Sequence, residues 1–441
     1  MNTPICDFVK NYVIKKPLRF HVPGHKGVNI LGFEKYDITE INGADSLFEA
    51  KSIIKESEEN VSKIFNANTY YSCEGSSLSI KAMVYLALSW GKENNRAPLI
   101  LAGRNAHKGF LNACALTDCD ILWLKSTDSS YLSCNIDTDF LENYLKNIKT
   151  LPCAIYITSP DYLGNITDLC TIAHICKKYK VLLLVDNAHG AYLNFLNMHP
   201  LNFGADIVCD SAHKTLPVLT GGGYLHVSKK APKTIKNKVK DALSLFGSTS
   251  PSYLILQSLD KFNVQAETYK KQLNSIVPLI ENAKQTLIKN GFTLYENEPL
   301  KLTVKTKPYG YLGTDFANIL EKQNIFVEFA DPDFCVFMLS LNKKDLTKLI
   351  KALLKIKKQA PIKKAPPVLE EATKALTPRE AIFSEFETVK TKNSLNRILA
   401  QPSVACPPAV PIISLGEVIN ESAIDAFKYY GIKEVKVIKE G

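Results

Sequence analysis

The sequence predicts an α/β protein built on a mostly parallel sheet, and three observations predict it. From Pro98 onward, short apolar runs alternate with helix-like segments, the rhythm of βαβ units. One of those runs ends in Asp186 and another leads into the segment that holds Lys214, two residues that carry chemistry. Parallel sheets place ligand-handling groups at the C-terminal ends of their strands. The chain has 441 residues and is 46% hydrophobic, which allows a sizeable core and two or three domains.

Residues Met1 to Gly43 read as an irregular arm with short helical pieces, and His21 to Gly27 (HVPGHKG) inside it forms turns. Ile53 to Phe65 has helical periodicity, with Ile53, Ile54, Val61, Ile64 and Phe65 among charges. Gly75-Ser76-Ser77 opens a second helix, Leu78 to Trp90. Strands are expected at Leu99–Leu101, Asp120–Leu124, Ala154–Ile157, Val181–Val185, Ile207–Cys209 and Tyr224–Val227. Helices are expected at Leu141–Asn147 and Cys170–Lys178, and Gly221-Gly222-Gly223 is a turn. A long helix runs from about Tyr253 to Asn290. A smaller α/β region follows, with strands at Leu302–Val304, Ile325–Val327 and Cys335–Met338 and helices at Asp315–Lys322 and Lys344–Ile356. Lys357 to Pro367 (KKQAPIKKAPP) has the composition of an exposed linker. Three domains are therefore expected: 1–265 as arm and major domain, 266–356 as the small domain, and 368–441 as a C-terminal domain.

Composition narrows the function. Charged residues make up 22%, which excludes global disorder. The net charge of +10 comes from lysines spread along helix-like and tail-like segments, a solvated surface. The sequence has no aromatic-interleaved basic motif of a nucleic-acid reader. Eleven cysteines are scattered without a CxxC pair, so no metal site is expected and reduced thiols in a cytoplasm suit the pattern. No signal peptide and no run of about 18 apolar residues for a membrane span is seen. GxxxxGK[ST], HExxH and GxSxG are absent.

The chemistry concentrates in two segments. In Asp210 to Pro217 (DSAHKTLP), Lys214 follows a buried strand and is placed to form a Schiff base with pyridoxal phosphate (PLP). In Leu182 to Gly190 (LLLVDNAHG), Asp186 ends a second strand and can keep a pyridine nitrogen protonated, so that the ring accepts an electron pair. Gly75, Ser76 and Ser77 offer close backbone approach, hydroxyls and N–H groups at a helix start, a cradle for the phosphate dianion. Ser211 and His213 can add phosphate contacts. His107, in Arg104–Lys108 after the Leu99–Leu101 strand, can lie over the ring face, and His189 can lie near the ring or order its loop. Ser248 to Tyr253 is another hydroxyl-rich helix start.

These segments resemble the fold-type-I PLP-dependent decarboxylases that act on ornithine, lysine and arginine. The resemblance rests on Phe20–Gly27 (FHVPGHKG), Asp37–Leu47 (DITEINGADSL), Glu74–Ser77 (EGSS), Arg104–Gly109 (RNAHKG), Thr158–Gly164 (TSPDYLG), Leu183–Ala191 (LLVDNAHGA), Gly204–Thr220 (GADIVCDSAHKTLPVLT) and Thr249–Tyr253 (TSPSY), in the family's order. Near the end, Pro407–Glu417 (PPAVPIISLGE) is similar to the proline-rich stretch of the family's C-terminal domain. The resemblance implies an aspartate-aminotransferase-like major domain, the roles given above for Lys214, Asp186, His107, Ser76, Ser77, Ser211 and His213, and a homodimer or larger assembly with active sites at the subunit interface. It also implies the compact bacterial form and a product of the polyamine type. Asn187 stands where many members have Glu, Tyr192 where His is frequent, and Gly221–Gly223 where larger residues follow LPVLT.

The expected reaction is decarboxylation of a basic amino acid, whose distal cation needs an acidic partner. Asp45, Asp161 and Glu417 are the candidates from motif position. An aminotransferase or carbon–sulfur lyase on the same fold is the alternative. Against a transaminase, Leu302 to Ile356 contains no arginine to hold a substrate carboxylate. An inactive cofactor-binding regulatory protein is a third reading, and the intact Lys214 and Asp186 weigh against it.

Overall fold

The structure is a computed structural model that describes residues 1–126, 130–295, 298–402 and 408–440. Pro407, the first residue of the proline-rich stretch, lies outside the described residues. The chain divides into two compact units. The first is Met1–Pro98, Lys149–Ser159 and Leu169–Lys270, and the second is Leu99–Ile148, Pro160–Asp168 and Lys271–Gly441.

The first unit holds five strands in the order Asn68–Ser72, Gly223–Val227, Ile207–Asp210, Leu182–Asp186 and Pro152–Thr158. The last three are parallel, with Thr158 opposite Asp186 and Asp186 opposite Cys209. Every residue of Leu182–Asp186 and Ile207–Asp210 is buried, as expected of parallel strands covered on both faces. Gly223–Val227 runs antiparallel to Ile207–Asp210, and Asn68–Ser72 antiparallel to Gly223–Val227. The first residue of the helix Gly75–Glu93 is left-handed (φ +63), which glycine adopts readily, and the helix body buries Leu78, Met83, Val84 and Leu86. The helix Ile53–Phe65 buries Ile54, Val61 and Phe65 and stops at Asn66, whose left-handed backbone (φ 50) returns its N–H to Ser62. The arm contains one full helix, Pro4–Ile14, longer than the short pieces expected, because Ile5 and Val9 fall on one buried face.

In the second unit, Leu99–Ala102, the last part of strand Ala97–Ala102, pairs in parallel with Asp120–Trp123, from Leu99 opposite Asp120 to Ala102 opposite Trp123. A four-stranded antiparallel sheet orders Phe329–Ala330, Phe334–Met338, Lys301–Lys305 and Thr293–Tyr295. Helices Gly313–Glu321 and Lys343–Lys355 pack Phe316, Leu320 and Leu353 into its core with Leu302, Val304 and Phe337. The strand expected at Ile325–Val327 is not formed. Asn324 ends the preceding helix in the left-handed region (φ 57), and the Ile325 N–H bonds back to the Leu320 carbonyl at 3.1 Å. That helix-terminating bond takes the donor a strand needs, and pairing starts only at Phe329. Lys357–Pro367 has neither helix nor strand, as its composition predicts. A three-stranded sheet, Phe386–Lys390, Glu434–Ile438 and Leu399–Gln401, closes over Ile419, Phe427, Val435 and Val437 with helix Glu421–Tyr429.

Candidate active site

Asp186 is the last residue of its strand and is buried. Its Oδ2 accepts from the Tyr156 hydroxyl at 3.0 Å, and its Oδ1 accepts from the Ala188 N–H at 3.2 Å and the Cys209 thiol at 3.4 Å. Burial and then the nearby carboxylates push the Cys209 thiol well up, so it keeps the proton it donates. Three donors from three strand ends fix the carboxylate in one orientation. A hydrogen bond to a charged group contributes about 1.5–3 kcal/mol.

Lys214 sits in a single helical turn, Ala212–Thr215, directly after the Ile207–Asp210 strand. Its side chain is exposed, and its Nζ lies 3.1 Å from Nε2 of the buried His189. The parallel register thus delivers the lysine and the carboxylate from the same ends of neighbouring strands.

Behind them, the Gly75–Glu93 helix and the Lys214 turn meet through side-chain hydroxyls. Ser211 Oγ donates to Ser76 Oγ at 2.9 Å, and the Ser76 N–H points at Ser211 Oγ at 3.4 Å. Ser76 and Ser211 are buried, whereas Ser77 is exposed. His213 is held by Gly222, whose carbonyl lies 3.0 Å from Nδ1. A Cβ on Gly75 would come within 3.4 Å of His213 Cε1, so the bare backbone keeps this corner open. A helix start carries about half a positive charge and unpaired N–H groups. With two buried hydroxyls and an imidazole around it, this donor set fits a phosphate, and Lys214 with Asp186 fits the aldehyde and the ring nitrogen of PLP.

From the sequence, Gly221–Gly223 is a turn. The structure gives the glycines a further task. A Cβ on Gly223 would lie 2.9 Å from the Asp210 carbonyl oxygen and from the Gly75 backbone. The Gly75 N–H also bonds to the Gly221 carbonyl at 2.7 Å. The triplet therefore lets the helix start approach the Lys214 turn backbone to backbone. Gly223→Ala is expected to cost about 1–3 kcal/mol of stability and to push the helix start away. PLP titration of the apoprotein should show at least tenfold weaker binding, and unchanged affinity would contradict this role.

Tyr156 was not found from sequence, and Cys209, close in sequence to Lys214, reads there as a small buried apolar residue. Tyr156 lies in an apolar strand, and nothing local marks its hydroxyl; only the register, with its strand beside that of Asp186, brings it in.

The other candidates each have partners of their own. His107 is in the second unit and caps helix Lys108–Thr117, its Nδ1 accepting the Gly109 N–H at 3.0 Å. The proton of the neutral ring is therefore on Nε2. The three acidic candidates all spend both oxygens within their own units. Asp45 accepts backbone N–H groups from Lys51, Ser52 and Ile54 at 2.9, 2.7 and 3.1 Å and so ties down the start of helix Ile53–Phe65. Asp161 takes three N–H groups, from Leu163, Gly164 and Asn165, on one oxygen and the Ser133 hydroxyl on the other. Glu417 takes a two-pronged bond from Arg104 at 3.0 and 2.6 Å, the Trp123 indole at 3.0 Å and the Ser414 N–H at 2.6 Å. These are carboxylates that organise their own loops.

Three parallel strands that bring a lysine and a buried carboxylate together after adjacent strand ends, with serines at a helix start, fit a fold-type-I PLP enzyme. Residues 3–306 match the family model for the Orn/Lys/Arg decarboxylase major domain, and this chain belongs to that family of PLP-dependent amino-acid decarboxylases. It is 28% identical to an arginine decarboxylase of Bacillus subtilis (strain 168), covering 96% of this chain and 92% of the relative. The YaaO protein of the same organism is 29% identical over 96% of this chain and 93% of its own length. Among solved structures, the Francisella novicida lysine decarboxylase LdcF superposes with a TM-score of 0.79 at 18% identity, covering 99% of this chain and 81% of that one. No helix among the described residues is long and apolar enough to cross a membrane.

Proposed function

We propose that this chain decarboxylates arginine, lysine or ornithine to the corresponding amine, with PLP attached through Lys214. The observation that carries the reading is the pairing of Asp186 with the strand that leads into Lys214. Ser76, Ser211, His213 and the N–H groups at the start of the Gly75–Glu93 helix hold the phosphate, and Ser77 extends the same helix start. Asp186 holds a proton on the ring nitrogen; its orientation is set by Tyr156, Cys209 and the Ala188 N–H. Bound PLP supplies a sink for the electron pair left when the substrate carboxylate departs as carbon dioxide. Lys214 Nζ would hold the PLP aldehyde when the cofactor is bound, and His189, whose Nε2 lies 3.1 Å away, would orient it. For His107, the RNAHKG motif supports the ring-face role.

The test is direct. Holoenzyme is incubated separately with the three amino acids, and carbon dioxide and amine are measured. One of the three is expected to give equal amounts of both; keto acid instead of carbon dioxide would make the chain a transaminase. The arginine decarboxylase relatives favour arginine. A polyamine-related product and a cytoplasmic location follow from the same reading. The three sheets support an arm and major domain to residue 265, a small domain at 266–356 and a C-terminal domain at 368–441.

The assembly is a homodimer or larger. Its support is the arm: Leu18, Phe20, Ile30 and Leu31 are 84%, 93%, 71% and 73% exposed, an apolar run that water disfavours and a second copy would cover. Changing these four residues to serine is expected to shift the sedimenting species from dimer to monomer. A monomeric wild type at micromolar concentration would contradict it.

A further inference from the structure

Asp210 lies one residue before Ser211 and four before Lys214, and it is completely buried. Nothing in the proposed chemistry uses it, yet it is among the most heavily bonded side chains of the first unit. Its Oδ1 accepts from Asn187 Nδ2 at 2.6 Å, and its Oδ2 faces His199 Nε2 at 3.2 Å and His226 Nε2 at 3.1 Å. Asn187 immediately follows Asp186. The Asp210–Asn187 bond therefore ties the end of the Asp186 strand to the end of the Lys214 strand, beside the backbone bond from the Asn187 N–H to the Cys209 carbonyl at 3.0 Å.

We infer that Asp210 is a positioning residue: it locks the two strand ends that carry Asp186 and Lys214 and so sets the separation of the groups that handle the ring nitrogen and the aldehyde. This rests on the assignment of those two residues to PLP.

Four observations support it. Asn187 Oδ1 is buried and has no hydrogen-bond partner among the described residues. A flipped amide would turn that oxygen onto the carboxylate, so the orientation is fixed, and the side chain bears the cost of an unsatisfied oxygen for its one bond to Asp210. The histidines are themselves immobilised. His226 Nδ1 lies 2.8 Å from the Thr69 hydroxyl, and its ring packs 4.4 Å from that of Phe65, which also meets His199 edge-on at 5.5 Å. The lock is thus anchored on helix Ile53–Phe65 and strands Asn68–Ser72 and Gly223–Val227. Burial pushes the Asp210 carboxyl up, but His199 and His226 outweigh it and hold the group well below the usual carboxylate range, so it stays an acceptor for all three donors.

The same three ligand atoms, from His199, Asp210 and His226, lie within 4.8 Å of one another, a spacing that can hold a metal ion. The proton positions oppose this. The Leu201 N–H points at His199 Nδ1 at 3.4 Å, which places the ring proton on Nε2, aimed at Asp210. A protonated Nε2 donates a hydrogen bond and must give up its proton, or pass it to Nδ1 against the Leu201 N–H, before it ligates a metal.

The experiment compares wild type, Asp210→Asn, Asn187→Ala and the exchanged pair Asn187→Asp/Asp210→Asn. Far-ultraviolet circular dichroism and thermal melting of the apoproteins report folding, PLP titration with the visible band reports the cofactor, and kcat and KM are measured separately. A displacement on the scale of 1 Å costs about 100-fold in rate. Asp210→Asn is expected to fold, to shift or broaden the visible band, and to lose about 100-fold in kcat with KM within about threefold. Asn187→Ala, which leaves both histidine bonds, should fall in the same direction by a smaller factor, and it carries the test if Asp210→Asn does not fold. The exchanged pair, with the acid and amide reversed, should recover at least tenfold of the lost kcat. Folded variants with wild-type band and kcat would overturn the inference, and so would losses that track the melting temperature alone with no recovery in the exchanged pair. Wild type that shows no band with PLP would instead remove the assignment of Lys214 itself.

Discussion

Lys214→Ala is expected to abolish covalent capture of PLP while leaving the fold intact. The side chain is exposed and buries little apolar area, so its removal creates no cavity. The neighbouring hydrogen bonds that build the turn, from the Lys214 N–H to the Ser211 carbonyl and from the Leu216 N–H to the Ala212 carbonyl, belong to the backbone and survive. What disappears is the amine in the turn that follows this strand end. Decarboxylation should fall by about 1,000-fold or more, at least 4 kcal/mol of lost barrier lowering. The expected signature is a protein with wild-type melting behaviour that binds PLP reversibly and weakly through its phosphate contacts, with no band that borohydride can fix. A variant with appreciable turnover would show that another amine does this work.

Asp186→Ala is the second large effect and differs in kind. It removes a buried carboxylate whose partners, the Tyr156 hydroxyl and the Cys209 thiol, lose their acceptor. Some stability is lost for that reason, about 1–3 kcal/mol for each polar group left unsatisfied. The catalytic loss should be larger. Without a carboxylate to hold the ring nitrogen's proton, the ring is a poorer acceptor for the electron pair, and kcat should drop by roughly 100- to 1,000-fold, about 3–4 kcal/mol. PLP should still be retained weakly on Lys214. Asp186→Asn separates the two effects, since it keeps the shape and most of the hydrogen bonds but not the charge. It should melt near wild type and still lose most of kcat. Full activity in Asp186→Asn would rule out the proton-holding role. As a control, Tyr156→Phe removes one donor and leaves the carboxylate, and its kcat should fall less than that of either Asp186 variant.

The parts of this architecture legible in the sequence are those with a strong local pattern. Leu182–Asp186 and Ile207–Asp210 read as strands because strands buried on both faces need unbroken apolar runs. Asp186 stood out because it ends such a run, and Lys214 because such a run leads into its segment. Helices Ile53–Phe65 and Lys343–Lys355 were visible from their 3.6-residue periodicity. Ile325–Val327 looked like a strand on composition, but the helix end before it claims its first N–H, and no apolar count registers that. The glycine triplet was seen as a turn, whereas its close approach to Gly75 is a long-range packing fact. Tyr156, Cys209 and His226 reach their carboxylates only through strand register, and His199 comes in from the loop before Pro200–Phe203. The acidic residues Asp45, Asp161 and Glu417 show the opposite case. A carboxylate in a motif was easy to find, and what it binds depended on N–H groups and an arginine brought in by the fold.

The most direct measurement is to load the purified protein with PLP, reduce it with borohydride, digest it and locate the modified lysine by mass spectrometry. The label is expected on Lys214 alone, in stoichiometric amount, and to be absent from Lys214→Ala. A label on any other lysine, or no label at saturating PLP, would contradict the placement of the cofactor opposite Asp186.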